Sequence, residues 1–331
     1  MMLNNFWPGI PVLVTGATGI VGSWLCSELL HRGAAVVALV KDSDPRSELF
    51  RTGDINQITV VNGNLHDYWT VESAINEHDI QIVFHLGAQA IVGSALRSPL
   101  STFETNIRGT YNLLEACRVH DDLVSSIVVA SSDKAYGHHD NLPYTEDVPL
   151  AGRNPYDVSK TCADLIAQSY FATYGLPVGI ARCGNIYGGG DLNWSRLVPG
   201  TIRSYFFGQP PVIRSDGTFV RDYLYVKDAV DGYIRLAEGL GQDAVKGQAF
   251  NFGNESPVTV LKLVSEIQVL MESQDIDPQI QRIAKAEIHS QYLSTDKARR
   301  LLNWQPANDL RSGLAETISW YREFLQVESL E

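Results

Sequence analysis

Tyr156 and Lys160 stand four residues apart in NPYDVSKTCADLIAQSY, so on a helix the phenol and the amine share one face. An ammonium beside a phenol favours the phenolate and draws its pKa down from about 10. With a hydride acceptor nearby, that phenolate can take the proton of a hydroxyl while the carbon gives up hydride. Upstream, SSIVVASSDKAYG ends an apolar run in Ser131, Ser132, Asp133 and Lys134. Ser132 is placed to hydrogen-bond the same hydroxyl. Asp133 and Lys134 put an acid and an amine at the lip of the sheet, as expected of a site that both donates and accepts protons.

The hydride acceptor has its own signal. PVLVT, a short apolar strand, runs into GATGIVG and then a helical segment. Gly16, Gly19 and Gly22, with Ile20 between them, form a GxxGxxG turn. Without Cβ atoms, backbone amides and a helix N-terminus can approach a pyrophosphate. After the second strand the sequence reads VKDSDPR. Asp42 there suits the ribose hydroxyls of NAD, whereas Lys41 or Arg46 would pair with the extra phosphate of NADP; NAD is favoured and NADP stays open. Asn64 and Leu65, after the third strand, are expected to flank the adenine.

These residues need a rigid frame, and the first half supplies one. AVVALV, ITVV, IQIVFH and SSIVVA are apolar throughout and alternate with helical stretches such as SWLCSELLH and NIRGTYNLLEACRVH. Strands without a polar face belong to a parallel sheet covered on both sides, which predicts a doubly wound α/β fold.

Composition excludes several classes. The 331 residues carry a net charge of −12 with no basic block, which argues against nucleic-acid binding. No apolar run is long enough to span a membrane, and the N-terminus lacks a secretion pattern, so a cytoplasmic protein is expected. Cys26, Cys117, Cys162 and Cys183 lack metal-ligand spacing and read as reduced thiols. His138, His139 and Asp140 read as a polar loop, and no metal is expected. His85 is expected to position its neighbours rather than to transfer protons.

TGATGIVG, HLGAQ, NIRGTYNLLEAC, SSDKAYG, YDVSK, RCGNIYGGGD and RDYLYVKDAV span nearly the whole chain. Together they resemble the extended short-chain dehydrogenase/reductases of the nucleotide-sugar epimerase and dehydratase family. The resemblance implies a mostly parallel Rossmann sheet, mainly in residues 1–180, and a smaller nucleotide-sugar-binding α/β domain, mainly in 181–331, with some exchange of elements. It implies a homodimer, its helices around Tyr111–Arg118 and Thr161–Tyr174 pairing between subunits. It makes Ser132, Tyr156 and Lys160 catalytic and brings Asn185, Arg196, Arg214 and Arg221 to a nucleoside-diphosphate sugar.

Within that family SSDK resembles the cytidine-nucleotide glucose 4,6-dehydratases, whereas RDYLYVKDAV resembles the broader uridine and thymidine group, so the base is open. A dehydratase would use Asp133 to protonate the departing C6 hydroxyl. Lys134 would act either as the base at C5 or as a cation stabilising the enolate. A 4-epimerase would leave both residues idle, and a nucleotide-uronate decarboxylase would turn Lys134 toward the substrate carboxylate.

Overall fold

The computed structural model describes residues 6–283 and 288–328. Six strands come in the first 183 residues: β1 (Pro11–Thr15), β2 (Ala35–Val40), β3 (Thr59–Asn62), β4 (Ile82–His85), β5 (Ser126–Ala130) and β6 (Val178–Cys183). The later strands are short: β7 (Asn185–Tyr187), β8 (Val212–Ile213), β9 (Val220–Arg221), β10 (Tyr223–Tyr225), β11 (Ala249–Phe252), β12 (Val258–Thr259), β13 (Gln279–Ile280) and β14 (Ser290–Gln291). A seven-stranded sheet in the order β11-β6-β5-β4-β1-β2-β3 forms the main body, and every pairing in it is parallel.

The apolar strands explain why both faces are covered. Successive side chains alternate across a sheet. Val12, Val14, Ala38, Phe84 and Val128 therefore meet Leu25 and Leu29 of the Ile20–His31 helix and Tyr233 and Leu236 of the Val226–Gly239 helix. Leu13, Val37, Leu39, Val83 and Val129 face the other way, onto Val71 and Ile75 of the Tyr68–Glu77 helix and Leu113 and Cys117 of the Gly109–Val119 helix. The doubly wound expectation holds.

The chain order reverses between β1 and β4, where such sheets open a crevice at their carboxyl ends. The crevice is tight at its root: a Cβ on Gly16 would lie 2.8 Å from the Gly87 nitrogen. A smaller α/β lobe closes over it. The Leu197–Phe206, Val260–Leu270 and Leu310–Glu328 helices pack Ile202, Leu263, Ile267, Leu314 and Phe324 around Tyr187 and Tyr225. β11 and the Val226–Gly239 helix lie after residue 181 in the chain but complete the large sheet.

The helix expected through NIRGTYNLLEACRVH is interrupted. Glu104–Arg108 forms a wider π-turn before the helix resumes at Gly109. Such turns are frequent at functional sites. Here it carries the buried Asn106, which donates to the Gln89 carbonyl (3.2 Å) and the Ser159 hydroxyl (2.9 Å) and accepts from the Gln89 amide (2.7 Å).

A charged turn and a glycine turn share one cleft

A cleft of about 1180 Å³ runs along the carboxyl edge of the sheet and under the smaller lobe. Gly16, Gly19, Ile20 and Gly22 line one end of it. Gly16 has a φ of +71°, and a Cβ on Gly22 would stand 2.1 Å from the Gly16 carbonyl oxygen. Gly19 caps the Ile20–His31 helix with no side-chain hydrogen bond, so the first amides of that helix are free to hold an anion. A close backbone cradle at a helix start fits a dinucleotide pyrophosphate.

From the loop after β2, Asp44 and Ser47 line the cleft. Ser47 Oγ is buried without a partner. Arg46 holds the Asp44 carboxyl below the usual range by a side-chain hydrogen bond. Lys41 and Asp42 pair with each other 3.5 Å apart, at 62% and 83% exposure. Asn64 caps its own turn by accepting from the His66 amide (3.4 Å). Leu65 is wedged against Gly87 and Gly109, its carbonyl accepting from Asn112. None of these four is among the lining residues of the cleft. The same VKDSDPR run held the signal for Asp44, two positions beyond Asp42.

The opposite wall carries the charged turn. β5 ends at Ala130, and Asp133–Tyr136 form a 3-10 turn capped by Ser132, whose Oγ accepts from the Lys134 amide (3.2 Å). Ser132 Oγ also donates to Asp133 Oδ1 (3.0 Å), and Lys134 Nζ donates to Asp133 Oδ2 (3.3 Å). Asp133 is 3% exposed, so this acid is not a solvated loop residue. Gln291 of β14 reaches the same turn, its Nε2 donating to the Asp133 carbonyl (2.7 Å) and its Oε1 accepting from Lys134 Nζ. No local motif in HSQYLST marked Gln291. Ser131 Oγ, also on the cleft, is buried without a partner.

Tyr156 and Lys160 lie on the Pro155–Tyr174 helix, which starts with Pro155 in its first turn, where proline is well placed. Both line the cleft beside Ser132. Lys160 Nζ donates to the Ala130 carbonyl (2.7 Å), and burial lowers its pKa to about 8. The electrostatics differ from the expectation of a lowered phenol. Burial pushes Tyr156 up to about 12; Arg196 pulls it down, Asp133 pushes it up, and the Ser132 hydroxyl pulls it down. Desolvation of the phenolate dominates, and the largest opposing pull comes from Arg196, expected only to grip substrate.

His85 is buried between two hydroxyls. Thr15 Oγ1 accepts from the Gly87 amide and shares a hydrogen bond with His85 Nδ1 (2.9 Å). Thr110 donates to the Asn106 carbonyl, so it accepts from His85 Nε2 (3.0 Å). Burial holds the imidazole neutral, with a pKa of about 3.

Asn185, Arg196, Arg214 and Arg221 all line the cleft. Arg196 pairs with Asp191 (3.0 Å) at the start of the Leu197–Phe206 helix. Arg221 lies over the Phe219 ring and donates to the Val220 and His289 carbonyls. Arg182 is instead a buried strut, bidentate to Asp164 and stacked on Tyr136. Cys183 is buried and pushed up to about 12. Among the described residues no cluster of three or more potential metal ligands occurs, and no helix is long and apolar enough to cross a membrane.

Comparison with known proteins follows the same lines. The family model described as GDP-mannose 4,6 dehydratase matches residues 13–317. A CDP-glucose 4,6-dehydratase from Salmonella typhimurium is 30% identical, across 100% of this chain and 95% of its own length. Among solved structures, an epimerase from Methanothermobacter thermautotrophicus is 27% identical with a TM-score of 0.90, over 100% of this chain and 97% of the other. A dTDP-glucose 4,6-dehydratase from Bacillus anthracis in complex with NAD is 26% identical with a TM-score of 0.84, over 95% and 97%.

Proposed function

The chain belongs to the GDP-mannose 4,6-dehydratase family, within the nucleotide-sugar dehydratases and epimerases, and from that premise we propose that it is a nucleotide-sugar 4,6-dehydratase. It converts a nucleoside-diphosphate hexose to the 4-keto-6-deoxy sugar. The observation that carries this reading is the Asp133–Lys134 pair, its acid buried and its amine half-buried, opening on the same cleft as Ser132 and Tyr156.

NAD is the cofactor, supported by the glycine cradle, by the Asp44 carboxylate on the ribose side and by the Bacillus anthracis relative. The chemistry it would supply when bound is to accept hydride from C4 and return it to C6. Tyr156 takes the C4 hydroxyl proton, with Ser132 hydrogen-bonded to the same oxygen and Arg196 and Lys160 offsetting the phenolate charge. The 4-keto group makes the C5 proton acidic. The Asp133–Lys134 pair removes that proton and gives one to the departing C6 hydroxyl, so water leaves and the pair ends as it began. Hydride then joins C6 and a proton joins C5, equal in number to the one Tyr156 took. Asn185, Arg214 and Arg221 hold the diphosphate.

Leu96, Leu100, Tyr111 and Leu165 are exposed on neighbouring helices, which supports a homodimer through that face. A cytoplasmic location accords with the absence of a membrane-crossing helix among the described residues. The likeness to the methanogen epimerase favours a second reading, a 4-epimerase, in which Asp133 and Lys134 have no chemical role.

The deciding experiment incubates the protein with cytidine-, uridine-, thymidine- and guanosine-diphosphate hexoses, with NAD or NADP, in deuterated water. Loss of one water with deuterium at C5 establishes the dehydratase and names the base. Unchanged mass with inversion at C4 assigns the epimerase.

A further inference from the structure

We propose that Gln291 is the positioning residue for the Asp133–Lys134 pair, a role that rests on the dehydratase reading for its chemical consequence. Gln291 is fully buried and 158 residues from Asp133 along the chain. Burying an amide is costly unless both its ends are paired. Here both ends are paired, and both partners lie on the one charged turn. An amide alone among side chains of this length presents a donor and an acceptor side by side. The donor fixes the backbone at Asp133, and the acceptor fixes the amine of Lys134. Without that acceptor, the hydrogen-bond partner left to the flexible Lys134 stem among the described residues is its own neighbour, Asp133.

The strand bearing Gln291 is held on both sides. β14 pairs in parallel with β9, with Gln291 opposite Arg221. The next residues pair with the loop that follows the charged turn: the Tyr144 amide donates to the Tyr292 carbonyl, and Tyr144 bridges to Leu293. Gln291 therefore ties the proton-transfer turn to the strand whose arginine lines the cleft. A sugar nucleotide that settles β9 also settles the acid and the amine.

The first test uses the protein without substrate. Trace labelling of lysines with acetic anhydride, read by peptide mass spectrometry, compares wild type with Gln291→Met. Loss of the amide contact is expected to raise Lys134 labelling about tenfold, with Lys160 unchanged. Gln291→Asn keeps the amide but shortens its reach, and it carries the same expectation if the methionine variant does not fold. Unchanged Lys134 labelling in a folded variant overturns the proposal whatever reaction the protein catalyses.

The second test is single turnover with CDP-glucose and its uridine and thymidine counterparts. In either variant, the absorbance of reduced nicotinamide should rise at the wild-type rate while water loss slows between about tenfold and about a hundredfold. Equal slowing of both steps overturns the proposal. If wild type yields no deoxysugar, the dehydratase reading fails, and the labelling result still decides the role of Gln291.

Discussion

Two turns leave the same sheet edge one strand apart, and they work by opposite means. The turn after β1 is useful for what it lacks: Gly16 and Gly22 present backbone where any Cβ would collide with the Gly87 or Gly16 main chain. The turn after β5 is useful for what it carries: Ser132, Asp133 and Lys134 are held by one another and by Gln291. A turn built from backbone is complete within a few residues of its own strand. A turn built from side chains takes part of its geometry from a distant lobe. His85 on the intervening β4 links the Thr15 end of the first turn to the Asn106 network behind the Pro155–Tyr174 helix.

The comparison can be broken at several points. Gly22→Val should have the largest effect, because the added atoms meet a carbonyl that cannot move without opening the turn. NAD binding by fluorescence titration should be lost and the thermal midpoint lowered; wild-type affinity would show that the first turn is not a backbone cradle. Tyr156→Phe should lower kcat by roughly a hundredfold to ten thousandfold while NAD still binds, measured by steady-state product formation.

The strand between the turns gives a pH signature. His85 titrates near pH 3 when folded and near 6.5 when unfolded, so the unfolded chain binds the extra proton between those values. Its contribution is therefore intact above pH 6.5 and lost as pH falls toward 3. Between pH 7 and 5 that amounts to about 2 kcal/mol, and denaturant titrations of His85→Gln should show a flatter profile over that range. Asp44→Ala should weaken NAD about tenfold, the value of one charge-assisted hydrogen bond. Alanine at both Lys41 and Asp42, whose exposed pair points elsewhere, should change NAD affinity by less than about twofold.

The legible parts of the molecule were those encoded locally. Apolar runs such as SIVVA and AVVALV announced a sheet buried on both faces, and the glycine spacing after PVLVT located its crevice. Tyr156 and Lys160 could be read because helical spacing alone puts them on one face. Three features escaped for physical reasons. The path of the loop after β2, which turns Asp44 and Ser47 inward, depends on packing of Glu48 and Arg51 against Trp320 in the far lobe. The Tyr156 phenol is governed by burial, which outweighs the opposing pull of Arg196. Gln291 sits in a two-residue strand whose register with Arg221 is fixed only by the assembled small sheet.

The place of β11 also has a consequence for biosynthesis. The strand beside β6 is made only after the chain has crossed into the second lobe and returned, some 66 residues after β6 ends. A nascent chain that has exposed β1 to β6 outside the ribosome therefore displays the bare, fully buried-type edge of β6, an adhesive template for other strands. Truncation before Ala249 should leave that edge permanently open, and translation through residues 184–248 is the interval in which a chaperone would have most to shield.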